Sequence, residues 1–156
     1  LCFLYHKNYN VPAVSLRFFT VYGPAQRPDM AFHKFFKTMM EGRESPLYGD
    51  GKQTRDFTYI DDITEASVAC LKKGKLGEVY NIGGGSQKKL EEIFPILESL
   101  SQKKIKIKRE EKQKGDVLHT LANIEKARRD LGYSPQTSLD EGLREEWIWI
   151  QRLYSS

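Results

Sequence analysis

The spacing of apolar residues changes repeatedly along the chain, and each change marks an element. Residues 1–9 place Leu1, Cys2, Leu4 and Tyr5 ahead of Asn8 and Asn10, the pattern of the last turns of an amphipathic helix closed by asparagine. Residues 11–19 are apolar or β-branched except around Arg17, which predicts a strand buried on both faces of a parallel sheet. A polar loop through Pro24 and Pro28 ends that strand. Phe32, Phe35, Phe36, Met39 and Met40 then recur at helical spacing, predicting a helix over 31–41 with an aromatic core stripe and a stop at Gly42. Pro46-Leu47-Tyr48, the turn residues Gly49-Asp50-Gly51 and alternation over 54–60 predict a small hairpin.

The second half continues the alternation of strand and helix. Asp61 or Asp62 can cap a helix to Leu71 whose inward face carries Ile63, Ala66, Ala69 and Cys70. Residues 79–82 read as another buried strand, running into Gly83-Gly84-Gly85. A helix is predicted over 90–101 with Pro95 as an irregularity, and Lys104-Ile105-Lys106-Ile107-Lys108 alternates as a strand with one buried side. Asn123 caps a helix ended by Gly132, and Ser138 with Glu141 makes a capping box for a last helix containing Trp147 and Trp149. The mixed order places the chain in the α/β class, with the later elements forming a small subdomain rather than a repeat array.

Composition narrows the function classes. The 156 residues are 39% hydrophobic, enough for one folded domain with a real core. No apolar run is long enough to cross a bilayer, and LCFLYHKNYN lacks the features of a secretory signal, so a soluble cytoplasmic protein is expected. Cys2 and Cys70 fit neither a disulfide framework nor a zinc site and suit a reducing compartment. His6, His33 and His119 stand apart, without metal-ligand spacing, and are expected to be surface or core histidines. The net charge of +4 gathers between Lys103 and Lys114, where the interleaved Ile105 and Ile107 point to an edge strand with outward lysines. Without a groove-reading element or stacking aromatics, that cluster does not predict nucleic-acid binding.

Gly83-Gly84-Gly85 between a strand and a helix imitates a dinucleotide fingerprint, with Glu110 at the distance of a ribose-binding acid. The imitation fails at Lys88, which stands where a third glycine must let helix and strand approach. The glycines are expected instead to turn sharply or to bring backbone close to a ligand.

Three blocks carry the strongest pattern: Arg17-Phe18-Phe19-Thr20-Val21-Tyr22-Gly23-Pro24 followed by Gln26-Arg27-Pro28-Asp29-Met30-Ala31; Gly49 through Asp62, including Lys52-Gln53-Thr54-Arg55-Asp56-Phe57; and Tyr80-Asn81-Ile82-Gly83-Gly84-Gly85. The first lies at the carboxyl end of a predicted parallel strand, where open α/β sheets bind ligands. Together, in this order, they resemble the extended short-chain dehydrogenase/reductase family of NAD-dependent epimerases and dehydratases, over almost the whole chain. Thr20 and the Arg-Pro-Asp-Met-Ala run are most similar to UDP-glucuronate 4-epimerases.

The resemblance implies the C-terminal part of a Rossmann-type fold. Residues 1–30 would supply the end of a cofactor-domain helix, a parallel strand and a substrate loop. Residues 31–156 would form mostly a nucleotide-sugar-binding subdomain, with 61–85 returning a helix and strand to the main sheet. It also implies roles. Thr20 and Arg27 would hold a sugar carboxylate, a hydroxyl and a guanidinium fork being matched to its two oxygens. Arg55 would neutralise the UDP diphosphate, Tyr48 would lie near the uracil ring and Gln53 would add a polar contact there. Gln113-Lys114-Gly115-Asp116-Val117 resembles a Gln-Pro-Gly-Asp-Val loop, so Asp116 would accept from ribose hydroxyls, with Lys114 in place of proline loosening the loop. Phe18 and Phe19 would be core or cofactor-wall aromatics. The bare residues also allow plainer readings: a strand-end threonine, a solvated loop arginine, and an Arg55 paired with Asp56 or Asp61.

In full-length relatives NAD takes a hydride from C4 of the sugar and returns it to the other face of the 4-keto sugar, with a tyrosine-lysine pair handling the hydroxyl proton. The chain lacks the glycine fingerprint of the cofactor loop, and the catalytic tyrosine-lysine pair is expected upstream of Leu1, in the N-terminal half of the same enzyme. The fragment itself is expected to be inactive, and the full-length enzyme to be a homodimer. UDP-glucose 4-epimerase, UDP-glucuronate decarboxylase and sugar-nucleotide dehydratase activities remain open within the family. A non-catalytic nucleotide-sugar-binding or interaction module is the alternative outside it.

Overall fold

A computed structural model describes residues 1–112, 115 and 117–155. The elements run α1 (Cys2–Tyr9), β1 (Ser15–Phe18), β2 (Thr20–Tyr22), α2 (Ala31–Glu41), β3 (Glu44–Tyr48), β4 (Thr54–Tyr59), α3 (Ile60–Lys73), β5 (Val79–Ile82), β6 (Gln87–Lys89), α4 (Leu90–Ser101), β7 (Lys106–Glu110), α5 (Glu125–Leu131) and α6 (Leu139–Tyr154). The fold is mixed α/β. The chain divides into two compact units: residues 1–21, 56–86 and 121–136 form the first, and residues 22–55, 87–120 and 137–156 the second.

In the first unit β1 and β5 pair in parallel, with Ser15 opposite Val79 and Phe18 opposite Ile82. Parallel neighbours require a long crossover, and the chain between them contains α3. The apolar face read from the sequence packs as expected: Ile63, Ala66 and Cys70 of α3 join Tyr80, Ile82, Ala122, Ile124, Ala127, Leu131 and Tyr133 in one core, with Leu16 and Phe19 against it. Asp62 is not the N-cap of α3; its buried carboxylate accepts from the Gln136 backbone N–H at 2.9 Å. The helix instead starts at Ile60, after an extended Tyr59. Gly132, at φ 73°, closes α5 in the left-handed conformation for which glycine is suited.

The expectation of a strand buried on both faces is not met by β1. Arg17 is exposed and Phe18 is 50% exposed, while Ser15 and Leu16 are half-buried. Among the described residues β1 pairs with β5 in a two-stranded sheet that leaves Arg17 and Phe18 exposed. Helix α1 forms as predicted, with Asn10 left-handed at its end, but it buries no residue and leaves Phe3, Leu4, Tyr5 and Tyr9 exposed.

The second unit gathers three helices around an aromatic core. Phe32, Phe35, Phe36 and Met39 of α2 are buried, Phe35 lies edge-on to Phe94 of α4, and Phe36 stacks at a tilt on Trp147 of α6. Leu90, Ile93 and Leu97 of α4, which runs through Pro95, and Leu143 and Ile150 of α6 are also buried. The Ser138–Glu141 capping box is present, with the Ser138 N–H donating to Glu141 Oε2 at 3.1 Å and the Glu141 N–H to Ser138 Oγ at 3.3 Å. The predicted hairpin is absent. β3 pairs in parallel with β7, Glu44 opposite Lys106 and Tyr48 opposite Glu110, so a strand over 106–110, overlapping the alternating segment 104–108, supplies the neighbour that 54–60 was expected to be. Gly49 and Gly51, at φ 79° and 81°, carry the chain away from β3 rather than back along it.

The lysine cluster has partners in this unit. Lys103 Nζ donates to the Met40 carbonyl at 2.9 Å and Lys106 Nζ to the Gly42 carbonyl at 3.1 Å, so two ammonium groups meet the negative end of α2. Lys104 pairs with Glu98 at 2.6 Å. Among the described residues no helix is long and apolar enough to cross a membrane, and no group of His, Cys, Asp and Glu could hold a metal ion.

Candidate functional site

The loop that leaves β2 presents Arg27. The guanidinium is exposed and grips Asp29 in a fork, Nε to Oδ1 at 3.0 Å and Nη2 to Oδ2 at 2.5 Å. That bonding holds the Asp29 carboxyl below its ordinary range and raises Arg27. A solvent-exposed pair of this kind contributes little to stability, so an incoming carboxylate can replace Asp29 in the same two-pronged geometry.

Tyr48, Gln53 and Arg55 surround the 49–53 loop of the same unit. Gln53 Nε2 donates to the Tyr48 carbonyl at 3.0 Å and closes the loop, while the Lys52 N–H donates to Asp50 Oδ1 at 3.0 Å and Arg109 Nη1 to the Asp50 carbonyl at 2.9 Å. Arg55 Nη1 donates to the carbonyls of Thr54 at 2.9 Å and Leu118 at 3.3 Å. These bonds tether the Arg55 guanidinium to the segment 118–120, which itself bonds Thr54 through backbone contacts at 2.9 and 3.2 Å. Asp116 lies outside the described residues, as do Gln113 and Lys114. Thr20, Phe18 and Phe19 belong to the first unit, Thr20 half-buried at the start of β2, Phe18 with its ring half in solvent and Phe19 packed on the core.

The glycine triplet is occupied by protein. A Cβ on Gly83 would lie 2.4 Å from the Ala122 Cβ, and one on Gly84 would lie 2.2 Å from the Phe57 carbonyl oxygen. The buried Asp56 carboxylate accepts from the Gly84 N–H at 2.7 Å and the Ala122 N–H at 2.9 Å, and Tyr133 donates to the Gly83 carbonyl at 2.9 Å. Burial pushes Asp56 up against these bonds, and burial with the nearby Asp62 and Asp56 pushes Tyr133 up. The glycines therefore admit close packing of their own chain. The Gly84 and Gly85 N–H groups are taken by Asp56 rather than offered to a pyrophosphate, so the described residues of this loop do not fit the phosphate cradle of a dinucleotide cofactor.

Four polar residues to which the sequence assigned no part in a site are buried: Asp56, Thr58, Glu146 and His33. Asp56 and Thr58 alternate inward on β4, so the period-two pattern already contained an inward acid. Glu146 is fully buried on the apolar face of α6, spaced with Leu143 and Ile150, and its Oε2 accepts from the Gly23 N–H at 2.9 Å. Burial pushes its carboxyl up to about 8, with the Gly23 bond pulling the other way. His33, also buried, bonds the Gln26 carbonyl through Nδ1 at 3.0 Å and the Tyr154 hydroxyl through Nε2 at 2.9 Å. An acid or histidine on an otherwise apolar helical face was the available signal for the last two.

Comparison with known proteins places this geometry in a family. A family model described as GDP-mannose 4,6 dehydratase matches residues 1–146. The chain is 42% identical over 155 residues to an uncharacterized UDP-glucose epimerase, YtcB, of Bacillus subtilis, covering 99% of this chain and 49% of that protein. It is 43% identical over 151 residues to a UDP-glucuronate 4-epimerase of Thermodesulfobacterium geofontis, covering 96% of this chain and 46% of the relative. The crystal structure of UDP-glucuronic acid 4-epimerase from Bacillus cereus in complex with UDP-glucuronic acid and NAD superposes with a TM-score of 0.95 at 48% identity, over 98% of this chain and 49% of that one. The chain thus spans about half the length of the relatives it matches. By sequence and by fold, it belongs to the GDP-mannose 4,6-dehydratase family of NAD-dependent nucleotide-sugar epimerases and dehydratases, within the extended short-chain dehydrogenases/reductases.

Proposed function

We propose that this chain is the substrate-binding portion of a UDP-glucuronate 4-epimerase. The observation that carries the reading is Arg27, a loop guanidinium already holding a carboxylate by two parallel bonds within a Thr20 to Ala31 pattern of the glucuronate type. Thr20 and Arg27 bind the uronate, Arg55 the diphosphate, and Tyr48, Gln53 and Asp116 the nucleoside. NAD, when bound, supplies hydride removal and return at the sugar C4. The residues of this chain bind and orient the sugar, and Phe18 offers an aromatic wall. The glycine loop does not hold the cofactor.

Two features support a further segment as the source of the cofactor site and the tyrosine-lysine pair. A two-stranded parallel sheet is an incomplete unit, and α1 exposes Phe3, Leu4, Tyr5 and Tyr9 without burying any of its residues. Both take cover when the N-terminal half of the enzyme, on the same chain or added separately, continues the sheet. Alone, the 156 residues bind nucleotide sugar and do not epimerise it.

Calorimetric titration with UDP, UDP-glucose and UDP-glucuronate tests the assignment. Arg27→Ala is expected to weaken UDP-glucuronate by about 10- to 100-fold, the worth of a charge-assisted pair, and to leave UDP unchanged. Arg55→Ala is expected to weaken all three. Preference for UDP-glucose over UDP-glucuronate would favour the neutral-sugar activity named for the Bacillus subtilis relative. Unchanged affinities in both variants would remove the site.

A further inference from the structure

The 23–30 loop has little of its own to hold it. Ala25, Arg27, Pro28 and Asp29 are exposed, and the turn contains Gly23 at φ 125° and Ala25 at φ 65°, a left-handed conformation unfavourable to a residue with a Cβ. Within the turn, the Gln26 N–H donates to the Gly23 carbonyl at 3.1 Å. The Met30 N–H donates to the Arg27 carbonyl at 3.0 Å and Arg27 grips Asp29; further restraints come from outside the loop.

Three of them lie along α6. At its N-terminal cap, the Ser138 carbonyl accepts from the Tyr22 hydroxyl at 3.3 Å. In its middle, Glu146 Oε2 accepts from the Gly23 N–H at 2.9 Å, while Oε1 of the same carboxyl is buried with no partner among the described residues. At its last residue, Tyr154 meets His33 Nε2 at 2.9 Å, with the His33 ring edge-on to Trp149 and Tyr154. His33 passes this contact to the loop. Its backbone N–H donates to Gln26 Oε1 at 3.1 Å, and its Nδ1 bonds the Gln26 carbonyl. A carbonyl can only accept, which puts a ring proton on Nδ1; in the neutral ring Nε2 then accepts from the tyrosine hydroxyl.

We infer that α6 is a positioning element for ligand binding: Glu146 and the Tyr154–His33 pair fix the Gly23–Gln26 turn, and through it the direction in which Arg27 meets an acidic sugar. The consequence for ligand affinity rests on the proposed role of Arg27. The fastening itself does not. Since the Gly23 N–H needs only an acceptor, an amide of the same shape serves as well as the acid, and an apolar side chain does not.

The test compares Glu146→Leu, Glu146→Gln and Tyr154→Phe with the parent chain. Calorimetry should show about tenfold weaker binding of UDP-glucuronate to Glu146→Leu and Tyr154→Phe, UDP within about twofold, and recovery in Glu146→Gln. Amide hydrogen exchange at Gly23 should accelerate by about tenfold or more in Glu146→Leu and stay slow in Glu146→Gln. Equal UDP-glucuronate affinity in the leucine variant, or an equal loss for UDP, would overturn the positioning role. If the parent chain binds UDP but gains nothing from the uronate, the role of Arg27 fails. Gly23 exchange then decides the fastening by itself, and an unchanged rate in Glu146→Leu would end it.

Discussion

Replacing Glu146 by glutamine should alter how stability depends on pH, and the direction follows from burial. The carboxyl is displaced from an ordinary value of 4.5 to about 8 because the folded protein removes it from water and returns one N–H bond. Between those values the unfolded chain has lost the proton and the folded chain keeps it, so folding takes up a proton. Stability is therefore fully retained below about 4.5, falls as pH rises towards about 8, and levels off beyond it. At about 1.4 kcal/mol for each tenfold change in proton activity, the loss reaches about 3 kcal/mol at pH 7, with a ceiling near about 5 kcal/mol. Glutamine does not titrate. Its NH2, buried at the position of Oε1, costs about 1–3 kcal/mol at every pH and leaves the slope untouched. Urea unfolding of both proteins from about pH 4 to pH 9 isolates the effect, because their difference cancels the other titrating groups. The difference should move in favour of Glu146→Gln as pH rises. Parallel curves would mean that Glu146 is ionised in the folded protein and would refute the reasoning.

Two further changes probe the framework. Gly84→Ala sets a methyl 2.2 Å from the Phe57 carbonyl, a backbone atom that cannot swing aside, and should lower stability by about 3 kcal/mol or more in thermal unfolding. Lys103→Ala with Lys106→Ala removes two exposed ammonium groups from the carbonyl end of α2. It should lower the melting temperature by only the equivalent of about 1 kcal/mol, with the difference shrinking in high salt.

Local periodicity revealed the elements whose cause is local. The helix 31–41, the capping box at Ser138 and Glu141, the left-handed ends at Gly42 and Gly132, and the inward face of α3 all follow from residues within one or two turns of each other. Strand partners do not. The alternation of 54–60 identified a strand, but nothing within it specified that β3 would pair with 106–110, some sixty residues on. The exposure of β1 has a related cause: an apolar run predicts what a strand can cover, and among the described residues Phe18 stays half in solvent. At the candidate site, Thr20, Arg27 and Arg55 were legible as residue types in a family pattern. The bonds of Arg27 to Asp29 and of Arg55 to the Leu118 carbonyl required coordinates.

Both units place a glycine at the carboxyl end of a strand and fasten its N–H with a buried acid from elsewhere in the sequence. Asp56 holds Gly84 after β5, and Glu146 holds Gly23 after β2. Glycine serves at each place for a different reason: at 84 the backbone of Phe57 leaves no room for a Cβ, and at 23 the turn requires φ 125°. The two acids differ in what the fold gives back for burial. Asp56 gains backbone N–H bonds from Gly84, Ala122 and Gly85, each of which favours the ionised form and offsets desolvation. Glu146 has the single bond from Gly23 and an Oε1 with no partner among the described residues, so desolvation prevails and its carboxyl moves to about 8. Desolvation raises both carboxyls, Glu146 to about 8, and Asp56 meets it with more donors. At Glu146 a pH rise lowers the stability of the fold, whereas a substitution that removes the acceptor frees the Gly23 N–H at the start of the loop carrying Arg27.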